Sequence, residues 1–65
     1  MVKVETKFGY DIYELTEQEC DERFYEFPCF CAFYEGDDFE SAGHEECSVG
    51  TLKEMLDWCE EYRRD

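Results

Sequence analysis

The sequence predicts an α+β fold: a small antiparallel β-sheet with two helices on one face, in the order β(β)-α-β-β-α. Three observations carry this reading. The N-terminal run alternates apolar and polar residues, a short dense apolar run follows in the middle, and the C-terminal segment carries an apolar stripe at helical spacing. Each expected helix is preceded by a threonine with a glutamate three residues on, the capping-box spacing that satisfies the first free amides of a helix.

Val2 to Leu15 reads as extended chain. Val2, Val4, Thr6, Phe8, Tyr10 and Ile12 alternate with Lys3, Glu5, Lys7, Gly9 and Asp11. Gly9 marks either a hairpin turn or a kink in one long strand. Thr16 and Glu19 then open a first helix, expected over Glu17 to Phe27 and stopped by Pro28, because the residue before a proline is kept out of the helical region. Cys20, Phe24 and Phe27 share one face of that helix. Glu19, Glu22 and Glu26 share another, where like charges three and four apart repel.

Cys29 to Tyr34 is too short and too aromatic for a helix and reads as a central strand. Glu35-Gly36-Asp37-Asp38 is a turn, Phe39 to Ala42 is expected to pair back as a further strand, and Gly43 to Gly50 as loop. Thr51 and Glu54 open the second helix, which runs to about Arg63. Leu52, Met55, Leu56, Cys59 and Tyr62 form its apolar stripe, with Trp58 at the margin. Arg63 and Arg64 stand suitably at the negative C-terminal end of its dipole.

Sixty-five residues hold a single domain, 1–65. A chain this short buries only about 60% of its unfolded surface, so its core must be dense in large side chains. An aromatic content of 18% meets that need and sets the chain apart from disordered ones. Five cysteines would suit a secreted disulfide scaffold. The odd count, the core-facing spacings and the lack of a charged-then-apolar leader after Met1 instead predict a cytoplasmic protein with reduced thiols. No apolar run approaches the ~20 residues of a membrane span.

Charge is the strongest signal, with 19 acids against 6 bases and a net charge of −13. From Phe8 to Leu52 thirteen acids face Arg23 alone, which accounts for −12 of that total. Such a balance excludes direct binding to nucleic acid through a basic surface and binding to anionic membranes, and it favours a basic partner. The candidate partner-binding residues are Glu19, Glu22 and Glu26 on the first helix and Glu35, Asp37, Asp38, Glu40, Glu45 and Glu46 beyond it. The plain alternative is a solvated, solubility-promoting face.

Small size, acidity, an aromatic core and the lack of a catalytic motif together resemble the small phage-encoded inhibitors of bacterial defence, the anti-CRISPR and antirestriction proteins. The likeness covers the whole chain as composition, with no aligned motif, so no residue role is carried over. It implies a non-enzymatic inhibitor whose carboxylates imitate phosphates and block the nucleic-acid-binding surface of a basic host protein or ribonucleoprotein in the cytoplasm.

Two other classes compete with that reading. Cys29, Cys31, His44 and Cys47 offer three thiolates and an imidazole, the donor set of a zinc-stabilised structural or adaptor module. The C-x-C spacing is not that of common zinc ribbons, and a core pair beside an exposed loop histidine is preferred; no cofactor is expected. An immunity protein or antitoxin against a basic nuclease is the third reading. Catalysis is not expected, because His44 with Cys47 has no orienting third group and no phosphate-binding glycine loop exists. The surplus of aromatic residues leaves room for a homodimer interface.

Overall fold

The computed structural model describes all residues, Met1–Asp65. Strands β1 (Val2–Lys7) and β2 (Tyr10–Glu14) form a hairpin, so Gly9 marks a turn and not a kink. The two turn residues, Phe8 (φ 58) and Gly9 (φ 86), are both left-handed, the tight-turn geometry whose twist matches that of the flanking strands. A phenylalanine in that region is strained, and the C-terminal tail clamps it. The Arg64 amide donates to the Phe8 carbonyl at 2.9 Å, and the Arg63 guanidinium lies 5.0 Å from the Phe8 ring.

Helix α1 (Glu17–Arg23) begins at Thr16 with the expected capping box: the Thr16 hydroxyl accepts from the Glu19 amide, and the Glu19 carboxylate accepts from the Thr16 amide. It ends four residues before the expected Phe27, a correction with a local cause. Phe24 turns left-handed (φ 61), its amide donates to Asp21 and that of Tyr25 to Cys20, which closes the helix as a glycine normally would. Stopping there also takes Glu26 off the helical row on which it would repel Glu22. Of the three residues expected on one face, Cys20 is buried while Phe24 and Phe27 are exposed.

Strand β3 (Phe30–Tyr34) pairs antiparallel with β2, from Tyr10 opposite Tyr34 to Glu14 opposite Phe30. Phe39–Ala42, expected as a strand, is instead the one-turn helix α2. Asp38 caps it, its carboxylate accepting from the Ser41 amide at 2.9 Å while its own amide donates to the Ser41 hydroxyl. The strand that pairs with β3 is β4 (Cys47–Val49), inside the stretch expected to be loop. The result is an antiparallel sheet in sequential order β1-β2-β3-β4.

Helix α3 (Leu52–Glu61) starts at Thr51, whose hydroxyl accepts from the Glu54 amide, and it buries Met55 and Cys59 fully. The helices do not share one face. Tyr10, Ile12 and Ala32 form one core with Met55 and Cys59 of α3. Cys31 and Phe33 join Leu15, Cys20 and Cys29 in a second core, against which Phe39 and Ala42 of α2 pack. The α+β class and the antiparallel sheet are as the sequence predicts, but the sheet is covered on both sides. The cause is that β2 and β3 carry apolar side chains on both faces, so each face needs its own cover.

Candidate partner-binding surface

Helices α1 and α2 lie on the same face, brought together through the core that holds Cys20, Phe33 and Phe39. The Phe33 and Phe39 rings meet edge to face at 4.8 Å, and the Arg23 guanidinium lies 4.4 Å from the Phe39 ring, so α1 reaches across α2. The only base between Phe8 and Leu52 is thereby held inward, only half exposed. The other charges that α1 and α2 present are carboxylates, and Lys3 of β1, on the same face, is drawn to Asp11.

Not every acid belongs to this field. Asp11 is buried at 2% exposure and fully engaged: it accepts from the Thr6 hydroxyl at 2.6 Å and the Gly36 amide at 2.9 Å, with the Lys3 ammonium at 3.6 Å. Burial acts to raise its pKa, but the Thr6, Gly36 and Lys3 contacts outweigh it and the net shift is downward. Glu19 is engaged too. Its hydrogen bond from the Met1 ammonium, then that from the Thr16 amide, pull its pKa down to about 2. Asp38 caps α2, with its pKa lowered by the Ser41 amide. Glu45 accepts a 2.6 Å hydrogen bond from the half-buried Tyr25 hydroxyl.

Glu19, Asp38 and Glu45 therefore build the face, while Glu22, Glu26, Asp37 and Glu40 are carboxylates with no cation drawing them into the fold beyond a 4.0 Å approach of Arg23 to Glu22. Glu35 leaves the end of β3. Glu46 stands apart, beside the Tyr34 hydroxyl, whose pKa it raises; Tyr34 packs with Tyr10 on the α3 side.

The sulfur and imidazole set does not assemble. Cys29 and Cys31 are 3.9 Å apart, sulfur to sulfur, in the core under α1 and α2. Cys47 packs against the opposite core, because it pairs with Ala32, one residue and so one face away from Cys31. His44 is exposed, its Nδ1 lying 3.0 Å from the Glu45 carbonyl oxygen. No three His, Cys, Asp or Glu side chains converge to hold a metal. All five cysteines are free, and burial raises the Cys29 and Cys31 thiols and pushes Cys59 up to about 11. At neutral pH these act as small apolar side chains, without thiolate character.

One feature escaped the sequence reading. Phe24 is 96% exposed and Phe27 is 54% exposed, and a cavity of about 340 Å³ lies between the Phe24–Cys29 segment and the edge strand β4. The spacing that put both rings on one face with Cys20 assumed a helix running to Phe27. No sequence signal marks the left-handed stop at Phe24, where a glycine would have done so. Trp58, at the margin of the helical stripe, is half-buried and packs edge to face on Tyr10 at 5.3 Å.

No helix is long and apolar enough to cross a membrane. Comparison with protein-family models, with curated proteins and with solved structures finds no match to this chain.

Proposed function

We propose that this chain is a non-enzymatic binding protein that occupies a basic nucleic-acid-binding surface of a partner, its carboxylates standing in for phosphates. One observation carries the reading: α1 and α2 share a sheet face on which Arg23, the only base of the two helices, is folded over Phe39, while Lys3 and the Met1 ammonium are drawn to Asp11 and Glu19, so Glu22, Glu26, Asp37 and Glu40 dominate what faces outward. Uncompensated charge of that density repels itself and works against the compact state, so a fold that keeps it is compensated elsewhere, here by a basic partner. Phosphates dominate the affinity of proteins for nucleic acid, and a rigid carboxylate array competes for the same lysines and arginines. The inhibitors of bacterial defence that the composition resembles make a host effector complex in the cytoplasm the natural partner. Free thiols throughout agree with such a reducing compartment.

Competition tests this. The partner is captured from a host lysate, identified by mass spectrometry, and titrated with the protein in the presence and absence of saturating DNA or RNA. Mutually exclusive binding is expected. Simultaneous binding with unchanged affinity rejects mimicry, and a captured nuclease toxin would assign the chain to the immunity-protein class.

A further inference from the structure

Phe24 combines two unfavourable features at one position. It adopts the left-handed conformation (φ 61, ψ 34) that closes α1, a place where a Cβ is strained and glycine is usual. Its ring is 96% exposed, so no burial within the chain offsets the strain. Strain of this kind gathers at sites that bind, because folding alone gives no reason to keep it.

The surroundings supply an independent observation. The cavity of about 340 Å³ is lined by Phe24, Glu26, Pro28, Ser48, Val49 and Gly50 among others, half of them apolar. Its far wall is β4, the outermost strand, so one edge of that wall carries backbone groups unpaired with any other strand. Glu26 stands in the lining. Arg23 is not in the lining; its guanidinium lies over Phe39 and 4.0 Å from Glu22. An exposed aromatic ring beside a hollow of mixed apolar and polar lining, with a carboxylate at its rim, has the anatomy of a binding hot spot.

We infer that this hollow docks a segment of a partner protein in which an apolar side chain lies between lysines or arginines. The apolar side chain enters the cavity against the Phe24 ring, and a flanking cation meets Glu26. Charge complementarity selects this occupant. A second copy of the chain would bring a body of net charge −13 against an acidic rim, whereas a basic segment gains from it. The inference rests on the proposed binding function and deepens it, locating the centre of the contact at Phe24 and adding an apolar requirement to the electrostatic one.

The test uses isotope-labelled protein at low salt and two synthetic hexapeptides of equal charge, Lys-Leu-Lys-Leu-Lys-Leu and Lys-Ser-Lys-Ser-Lys-Ser, followed by amide chemical shifts. The leucine peptide is expected to bind at least about tenfold more tightly, with shifts centred on the segments 24–29 and 48–50. Phe24→Gly, and Phe24→Asn, which tolerates the left-handed region, should abolish that preference while the melting temperature holds or rises. Equal affinity for the two peptides, with shifts spread over α1 and α2, overturns the inference and leaves the charge-based function standing. Binding of neither peptide rejects both. A lower melting temperature in both variants makes Phe24 a structural residue, and a wild-type dimer that Phe24→Gly dissociates assigns the patch to self-association; either result overturns the inference.

Discussion

The Tyr25 hydroxyl donates a 2.6 Å hydrogen bond to the Glu45 carboxylate, joining the segment after α1 to the loop before β4 over a separation of twenty residues. It is the one direct side-chain hydrogen bond between those two stretches, so it ties the two halves of the acidic face together.

Removing that hydroxyl should loosen the face. Tyr25→Phe is expected to cost about 1.5 kcal/mol, the low end for a hydrogen bond to a charged group, since both partners are only half-buried. Burial, then Glu45, raises the Tyr25 pKa above its ordinary 10.0. The unfolded chain therefore releases this proton first as pH rises, and stability falls from about pH 10 upward. Urea titrations at pH 8 and pH 11 should show the wild type losing more stability over that interval than Tyr25→Phe does. An equal loss in both proteins would place the alkaline transition elsewhere.

Glu19 titrates in the opposite sense. Its pKa falls from 4.5 to about 2 through the Met1 ammonium and the Thr16 amide, so its stabilisation is present above pH 4.5 and lost as pH drops toward 2. Glu19→Gln keeps the capping-box geometry but loses the charge that meets the Met1 ammonium, and should destabilise the protein by about 1 kcal/mol near neutrality. The difference from wild type should shrink by pH 2.5. A gap that is constant with pH would mean that the carboxylate charge contributes nothing.

Gly9 is held under the C-terminal tail. A Cβ added there would meet the Arg64 Cβ at 2.9 Å, on a backbone with φ +86. Gly9→Ala should cost about 1–3 kcal/mol, from left-handed strain together with the close contact. Adding Arg64→Gly removes the Cβ contact and leaves the strain, so the double variant should recover part of the loss. No recovery would show that the tail yields freely.

The open carboxylate face predicts a salt response. Raising ionic strength shortens the Debye length from about 10 Å at 0.1 M to about 3 Å at 1 M. The melting temperature should rise between low and moderate sodium chloride, because screening relieves repulsion among Glu22, Glu26, Asp37 and Glu40. A flat or falling curve contradicts an unpaired face.

Charge reversal maps the partner contact. Replacing Glu22, Glu26, Asp37 and Glu40 with lysine should weaken partner binding by several kcal/mol in sum and steepen with falling salt. The fold should persist, since none of the four is buried. The same change at Glu60 and Glu61 of α3, across the sheet, should have little effect. Equal losses at both places would spread the contact over the whole molecule.

Much of the architecture was legible in the residues. The alternation at Val2 to Ile12, the apolar run at Phe30 to Tyr34 and the stripe at Leu52 to Cys59 each repeat with the period of one kind of backbone, and Thr16 and Thr51 mark helix starts by local hydrogen bonds. The one-sided charge was legible as well, since composition alone sets it. These features depend on neighbours within a turn or a strand, and the sequence by itself determined them.

The tertiary structure decided what lies between distant residues. The helix at Phe39–Ala42 and the pairing of Cys47–Val49 with β3 follow from how the segments after β3 must cover a sheet that is apolar on both sides, and the early stop at Phe24 is a left-handed turn that no glycine announces. Whether a carboxylate is free or spent was equally hidden. Asp11 and Glu22 are alike in sequence, yet one is enclosed by Thr6, Gly36 and Lys3 and the other faces solvent. The physical reason is that burial and charge pairing belong to contacts across the fold, and no local period records which strand a given side chain will meet.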